Sequence, residues 1–168
     1  MRAPADADEP LAVLLLPGRL EGFELEAHAR DLLSIPRVVA LEPPRIRPAR
    51  ALRDAVSVRQ ARRLRFPGRP RLLLLYHPAQ YPLARALCAR HEDLELWYIP
   101  PGRGALETAD QTHADELLVL DELARERATQ VLTAAGGIVD SGPLRARLRE
   151  LDVINPHAFI PGARPRPR

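Results

Sequence analysis

The apolar positions of this chain fall into short, dense runs separated by longer amphipathic stretches. Leu11-Ala12-Val13-Leu14-Leu15-Leu16 is unbroken and is closed by Pro17-Gly18. A continuous apolar run of that length is the mark of a strand buried on both faces. The same reading places strands at 37–41, 71–76, 94–99, 130–134 and 152–155, the clearest being Arg71-Leu72-Leu73-Leu74-Leu75-Tyr76. Between them the spacing predicts helices. Residues 23–34 contain no glycine and stop before Pro36, where the helical conformation is disfavoured. A weak, arginine-studded helix is expected after Pro48. Another spans Ala79–His91, with Leu83 and Leu87 one turn apart and Pro82 in its first turn. A long helix, capped by Thr112, runs to about Ala128 with Ala114, Leu117, Leu120, Ala124 and Ala128 on one stripe. Asp121 and Arg125 form an i,i+4 pair on its other side. Ser141 caps a last helix that turns Leu144 and Leu148 inward.

Strands and helices alternate about six times. This pattern implies βαβ units and an α/β fold with a doubly wound, mainly parallel, Rossmann-like sheet of about six strands. One domain is expected over residues 11–160, after a disordered lead-in at 1–10 and before a flexible Pro/Arg tail at 161–168. No apolar run approaches the roughly 20 residues needed to cross a bilayer. The acidic N-terminus and short apolar run do not read as a secretory signal.

Composition changes this picture in two places. A single cysteine, Cys88, excludes an intrachain disulfide and a cysteine zinc site, and points to a reducing, cytoplasmic setting. All 25 basic residues are arginine, and their placement is uneven. Between Arg45 and Arg71 ten arginines face one acid, Asp54; between Glu107 and Glu126 seven acids face one arginine, Arg125. The basic block suits phosphate, nucleic acid or peripheral contact with an anionic membrane, or is a solvated face. Aromatic residues make up only 4% of the chain and none lies in Arg45–Arg65, so specific nucleic-acid recognition by stacking is not expected.

Ligands of open α/β sheets bind beyond the carboxyl ends of the strands. That rule selects a few residues. Gly18 and Arg19 lie in the turn after the first strand, next to a helix start that suits an anion, against the reading of an ordinary tight turn. His77 and Gln80 follow the most apolar strand; His77 is the candidate catalytic residue, as proton carrier or hydroxyl partner, against a simple helix-capping role. Gly136 and Gly137 follow the fifth strand, where glycine lets backbone approach a ligand or merely turn. Asn155 follows the sixth. His28, His77, His91, His113 and His157 lack metal-ligand spacing, so no metal and no cofactor is expected. There is no G-x-G-x-x-G, no phosphate-loop lysine and no G-x-S-x-G.

Several segments, in order, carry a resemblance. Arg37-Val38-Val39-Ala40-Leu41-Glu42-Pro43-Pro44, Pro70–Leu87 (PRLLLLYHPAQYPLARAL), Leu94–Tyr98, Glu116–Thr133 and Val153–Phe159 are similar to successive segments of the N-terminal half of GT-B-fold, nucleotide-sugar-dependent glycosyltransferases. The similarity covers most of residues 11–161. It departs from the pattern where Ile99-Pro100 replaces an acidic loop, where Ala134-Ala135 replaces a serine, and at Pro156-His157-Ala158. The resemblance implies an acceptor-side domain that holds a sugar or lipid-linked acceptor. It implies no efficient sugar transfer without a separate donor-binding domain or subunit. The residues themselves also leave open a non-catalytic Rossmann-like binding or interaction module, and a basic binder of nucleic acid or anionic membrane.

Overall fold

The computed structural model describes residues 8–21, 23–42, 52–102 and 111–154. Five strands, β1 (Pro10–Leu15), β2 (Val38–Leu41), β3 (Arg69–Leu75), β4 (Glu95–Tyr98) and β5 (Gln130–Val131), form one sheet in the order β2-β1-β3-β4-β5. Every neighbouring pair in it is parallel. The helices are α1 (Glu26–Leu33), α2 (Arg53–Arg63), α3 (Tyr81–Arg90), α4 (Gln111–Arg127) and α5 (Gly142–Glu150). The fold is therefore the doubly wound α/β sheet expected, with five strands rather than six.

The unbroken apolar runs have a direct cause: β1 and β3 are central and covered on both faces. Ala12, Leu14 and Leu16 of the β1 segment and Leu72, Leu74 and Tyr76 of the β3 segment face α1 and α5, meeting Ala29, Leu32, Leu144 and Leu148. The alternate residues, Val13, Leu15, Leu73 and Leu75, face α2, α3 and α4 through Ala61, Leu83, Ala84, Leu87 and Ala124. Each fully buried leucine contributes about 1.5–3 kcal/mol relative to exposure. Arg147 of α5 clamps Glu95 of β4 with two guanidinium nitrogens, Nε lying 3.0 Å from Oε2. That hydrogen bonding, more than the added charge attraction, holds the Glu95 carboxyl below its ordinary pKa against the opposing effect of burial.

Four expectations need correction. Residues 152–154 form no strand: Asp152 has φ 60°, and the Val153 and Asp152 N–H groups donate to Leu148 and Arg149 carbonyls at 2.9 and 3.0 Å. This is a Schellman helix end with aspartate in the position glycine prefers, and it turns Val153 into the core. The fifth strand stops at Val131, and Ala134–Ala135 and Ile138–Val139 instead make an antiparallel hairpin, β6–β7. Thr112 lies inside α4 rather than at its cap. Ser141 precedes α5 but makes no cap bond; Asp140 Oδ1 accepts the Gly142 N–H at 2.9 Å instead. Asp121 and Arg125 do pair, at 2.8 Å, yet Asp121 is buried, because it also accepts the Tyr98 hydroxyl at 2.6 Å. Among the described residues no helix is long and apolar enough to cross a membrane.

Candidate functional site

The strand order reverses between β1 and β3. Helices leave their carboxyl ends toward opposite faces, which makes this switch point the candidate crevice, the place where open α/β sheets bind ligands. The β1 side is Leu16-Pro17-Gly18-Arg19, and the β3 side is Tyr76-His77-Pro78-Ala79-Gln80. Gln80 spans the two, its Nε2 donating to the Leu16 carbonyl at 2.5 Å. Leu16 in turn donates its N–H to the Leu41 carbonyl of β2 at 3.0 Å. Three strand ends are thus tied together by one side chain and one backbone bond.

The His77 segment is shaped by its neighbour Pro78. His77 is extended at φ −144° and ψ 134°, as a residue before proline prefers, and a 3₁₀ turn (Pro78–Gln80) leads into α3. Proline sits at the first helical position, where no N–H is needed. His77 Nδ1 accepts the Ala79 N–H at 3.2 Å, so the histidine caps that turn while standing at the crevice. Arg19 is exposed, and Gly18 is half-buried beside it.

The structure brings Gly18, Arg19, His77 and Gln80 to adjacent strand ends. Gly136 and Gly137 form the two-residue turn of the β6–β7 hairpin, at φ 59° and 76°, values that a primed hairpin turn demands. A Cβ on Gly137 would lie 3.6 Å from the Glu24 carbonyl, so the hairpin tip rests beside the loop that starts α1. Asn155 lies outside the described residues, as do the 1–7 and 155–168 termini.

Sequence reasoning missed the residues beneath the crevice. Tyr76 is almost fully buried, with Phe23 edge-on at 5.2 Å between ring centroids and His28 edge-on at 6.0 Å. His28 Nδ1 is 3.1 Å from Ser141 Oγ. The Tyr76 hydroxyl, His28 Nε2 and Gln80 Oε1 are buried with no protein hydrogen-bond partner among the described residues. Burial raises the Tyr76 hydroxyl far above its ordinary pKa, so it stays neutral. Burial chiefly, with Arg145 adding and Asp31 opposing, lowers that of His28. Such orphaned polar atoms are rare in native cores and call for a reason. The available signal was His28 itself, a histidine on the Leu25–Ala29–Leu32 stripe of an otherwise apolar helix face. No group of three or more His, Cys, Asp or Glu side chains among the described residues is arranged to hold a metal ion.

The fold defines the class: a doubly wound α/β domain with the flavodoxin-like 2-1-3-4-5 strand order, and with Gly18, Arg19, His77 and Gln80 at its switch point. Comparison takes the assignment no further, since no protein-family model, no curated protein and no solved structure matches the chain.

Proposed function

We propose that the chain is the acceptor-side domain of a nucleotide-sugar-dependent glycosyltransferase, holding a sugar or lipid-linked phosphate acceptor at the β1/β3 crevice. The observation that carries this reading is the position of PRLLLLYHPAQYPLARAL. This 18-residue segment of the resemblance forms β3, the 3₁₀ turn and most of α3, and so supplies the β3 side of the candidate crevice. On this reading Arg19 meets the acceptor phosphate, since a guanidinium suits bidentate oxygen recognition. His77 faces the acceptor hydroxyl, and Gln80 keeps the crevice open at its fixed width. The buried Tyr76 and His28 supply polar groups below it. A donor-binding half, in another domain or subunit, completes the enzyme.

Two measurements test the reading. Isothermal titration with farnesyl phosphate and with octyl glucoside should show binding to one of them. An Arg19→Ala/His77→Ala double variant should weaken it at least tenfold; unchanged affinity in that variant ends the acceptor-site reading. Incubation of the 168-residue chain with labelled UDP-glucose or GDP-mannose and the bound probe should give no transfer. Robust turnover contradicts the assignment of these residues to the acceptor side alone.

A further inference from the structure

The opposite face of the sheet carries two stripes that nothing in the crevice uses. Helices α2, α3 and α4 lie side by side there and run from the carboxyl to the amino edge. On α2 and its N-cap, Leu52, Ala55, Arg59 and Arg62 recur at i, i+3, i+7 and i+10 and are all exposed, Leu52 at 59%. On α4, Asp115, Val119, Glu122 and Glu126 recur at i, i+4, i+7 and i+11 and are likewise exposed, Val119 at 51%. Leu118 and Leu123 flank that second stripe, both exposed. One stripe is basic with an apolar member, and the other is acidic with an apolar centre. None of Arg59, Arg62, Asp115, Glu122 and Glu126 forms a salt bridge among the described residues. Between the stripes runs a groove of about 240 Å³, floored by Pro82 and Leu120 and bridged by Arg53–Glu116 at 2.7 Å and Arg85–Asp54 at 3.2 Å.

Exposed leucine and valine amid uncompensated charge of one sign disfavour an isolated helix face. Here each stripe is the complement of the other. We propose that this face binds a second copy of the chain in a two-fold dimer, with α2 of each copy lying parallel along α4 of its partner. A two-fold axis lying in the plane between the two faces and running along α3 makes that pairing twice, which is the isologous arrangement homodimers favour. The basic stripe then meets the acidic stripe, and Leu52 and Val58 gain the cover of Val119 and Leu123. Three helices about 10 Å apart and some 16 Å long present roughly 500 Å² per copy, the low end for a specific interface. The dimer is therefore weak, in the micromolar range, and salt-sensitive.

Sedimentation equilibrium of the wild-type chain from 5 to 500 µM should show a monomer–dimer equilibrium that weakens between 50 and 500 mM NaCl. Two charge-reversed variants sharpen the test. In Arg59→Glu/Arg62→Glu both stripes become acidic, and in Glu122→Arg/Glu126→Arg both become basic. Each variant alone should lose dimer by at least tenfold, with circular dichroism confirming the fold. Mixed one to one, they should form a heterodimer, because each stripe again meets its opposite on both sides of the axis. Restoration by mixing is an outcome that misfolding of either variant does not produce. A wild-type chain monomeric at 500 µM in 50 mM NaCl overturns the proposal, whether or not α2 then binds anionic vesicles or nucleic acid. So does a dimer indifferent to both reversals.

Discussion

Two buried tyrosines at neighbouring strand ends should respond to the same substitution with opposite sign. Tyr76 and Tyr98 are 2% and 0% exposed. Burial raises both hydroxyls above their ordinary pKa, with Asp121 adding to the effect at Tyr98, so both are neutral at any working pH. They differ in partners. The Tyr98 hydroxyl donates to Asp121 Oδ1 at 2.6 Å, and the other oxygen of that carboxylate takes Arg125 Nε at 2.8 Å. Tyr98→Phe therefore strands a buried carboxylate oxygen, and a hydrogen bond to a charged group contributes about 1.5–3 kcal/mol. Tyr76→Phe removes a hydroxyl with no protein partner among the described residues while keeping the ring against Phe23 and His28. An unpaired buried hydroxyl costs about 1–3 kcal/mol, so this change should be neutral or stabilising by around 1 kcal/mol. Urea denaturation followed by circular dichroism reads both, with unchanged m confirming that only stability has moved. In a domain of this size 1 kcal/mol corresponds to roughly 2–4 °C in Tm. A Tyr76→Phe variant destabilised as much as Tyr98→Phe refutes the reasoning, because the hydroxyl then has a structural partner. If the substitution stabilises the fold and weakens farnesyl phosphate or octyl glucoside binding, the hydroxyl is kept for the crevice at the expense of stability.

Other outcomes follow from single residues. His28 has its pKa lowered from 6.5, mainly by burial, so the folded state resists its protonation. Its contribution to stability is intact above pH 6.5 and is lost as pH falls below that value; His28→Gln should flatten the decline in urea midpoint between pH 7 and 5, and an unchanged profile contradicts the assignment. The thiol of Cys88 is pushed up to about 11 by burial, so it should react slowly with a thiol-directed reagent at pH 8 in the folded chain; a rate equal to that of the urea-unfolded chain contradicts its placement. Asp152 sits at φ 60°, so Asp152→Gly should raise stability by about 0.5–1 kcal/mol, and a loss of stability would show that its side chain holds the α5 terminus.

Much of the fold was legible because its strands are doubly covered. An unbroken leucine run such as 72–75 has no alternative as a half-exposed element, so its strand was readable to within two residues. The short elements were not. Val153 and Ile154 look like a strand in isolation, yet the chain needs them to close α5, and the deciding bond is a backbone one to Leu148. Gly136-Gly137 was readable as a turn, but whether it ends a strand or joins a hairpin depends on where Ala134 pairs, which is Val139. The rim of the candidate site was legible only as a placement, since topology brings Gly18, Arg19, His77 and Gln80 to one edge of the sheet. Its floor was not, because Tyr76 read as a strand end and His28 as one more helical residue, and only packing sets them 6.0 Å apart. The Gln80 clasp was equally hidden, since its acceptor is the backbone of a residue 64 positions away.

The central claim is that a ligand binds at the β1/β3 switch point. A ¹H–¹⁵N correlation titration of the uniformly labelled chain with farnesyl phosphate, and separately with octyl glucoside below its micelle concentration, tests it most directly. The account predicts saturable shifts concentrated at the amides of Gly18, Arg19, His77, Ala79 and Gln80 for at least one probe. Shifts confined to α2 and α4, or no saturable shift with either probe, contradict it.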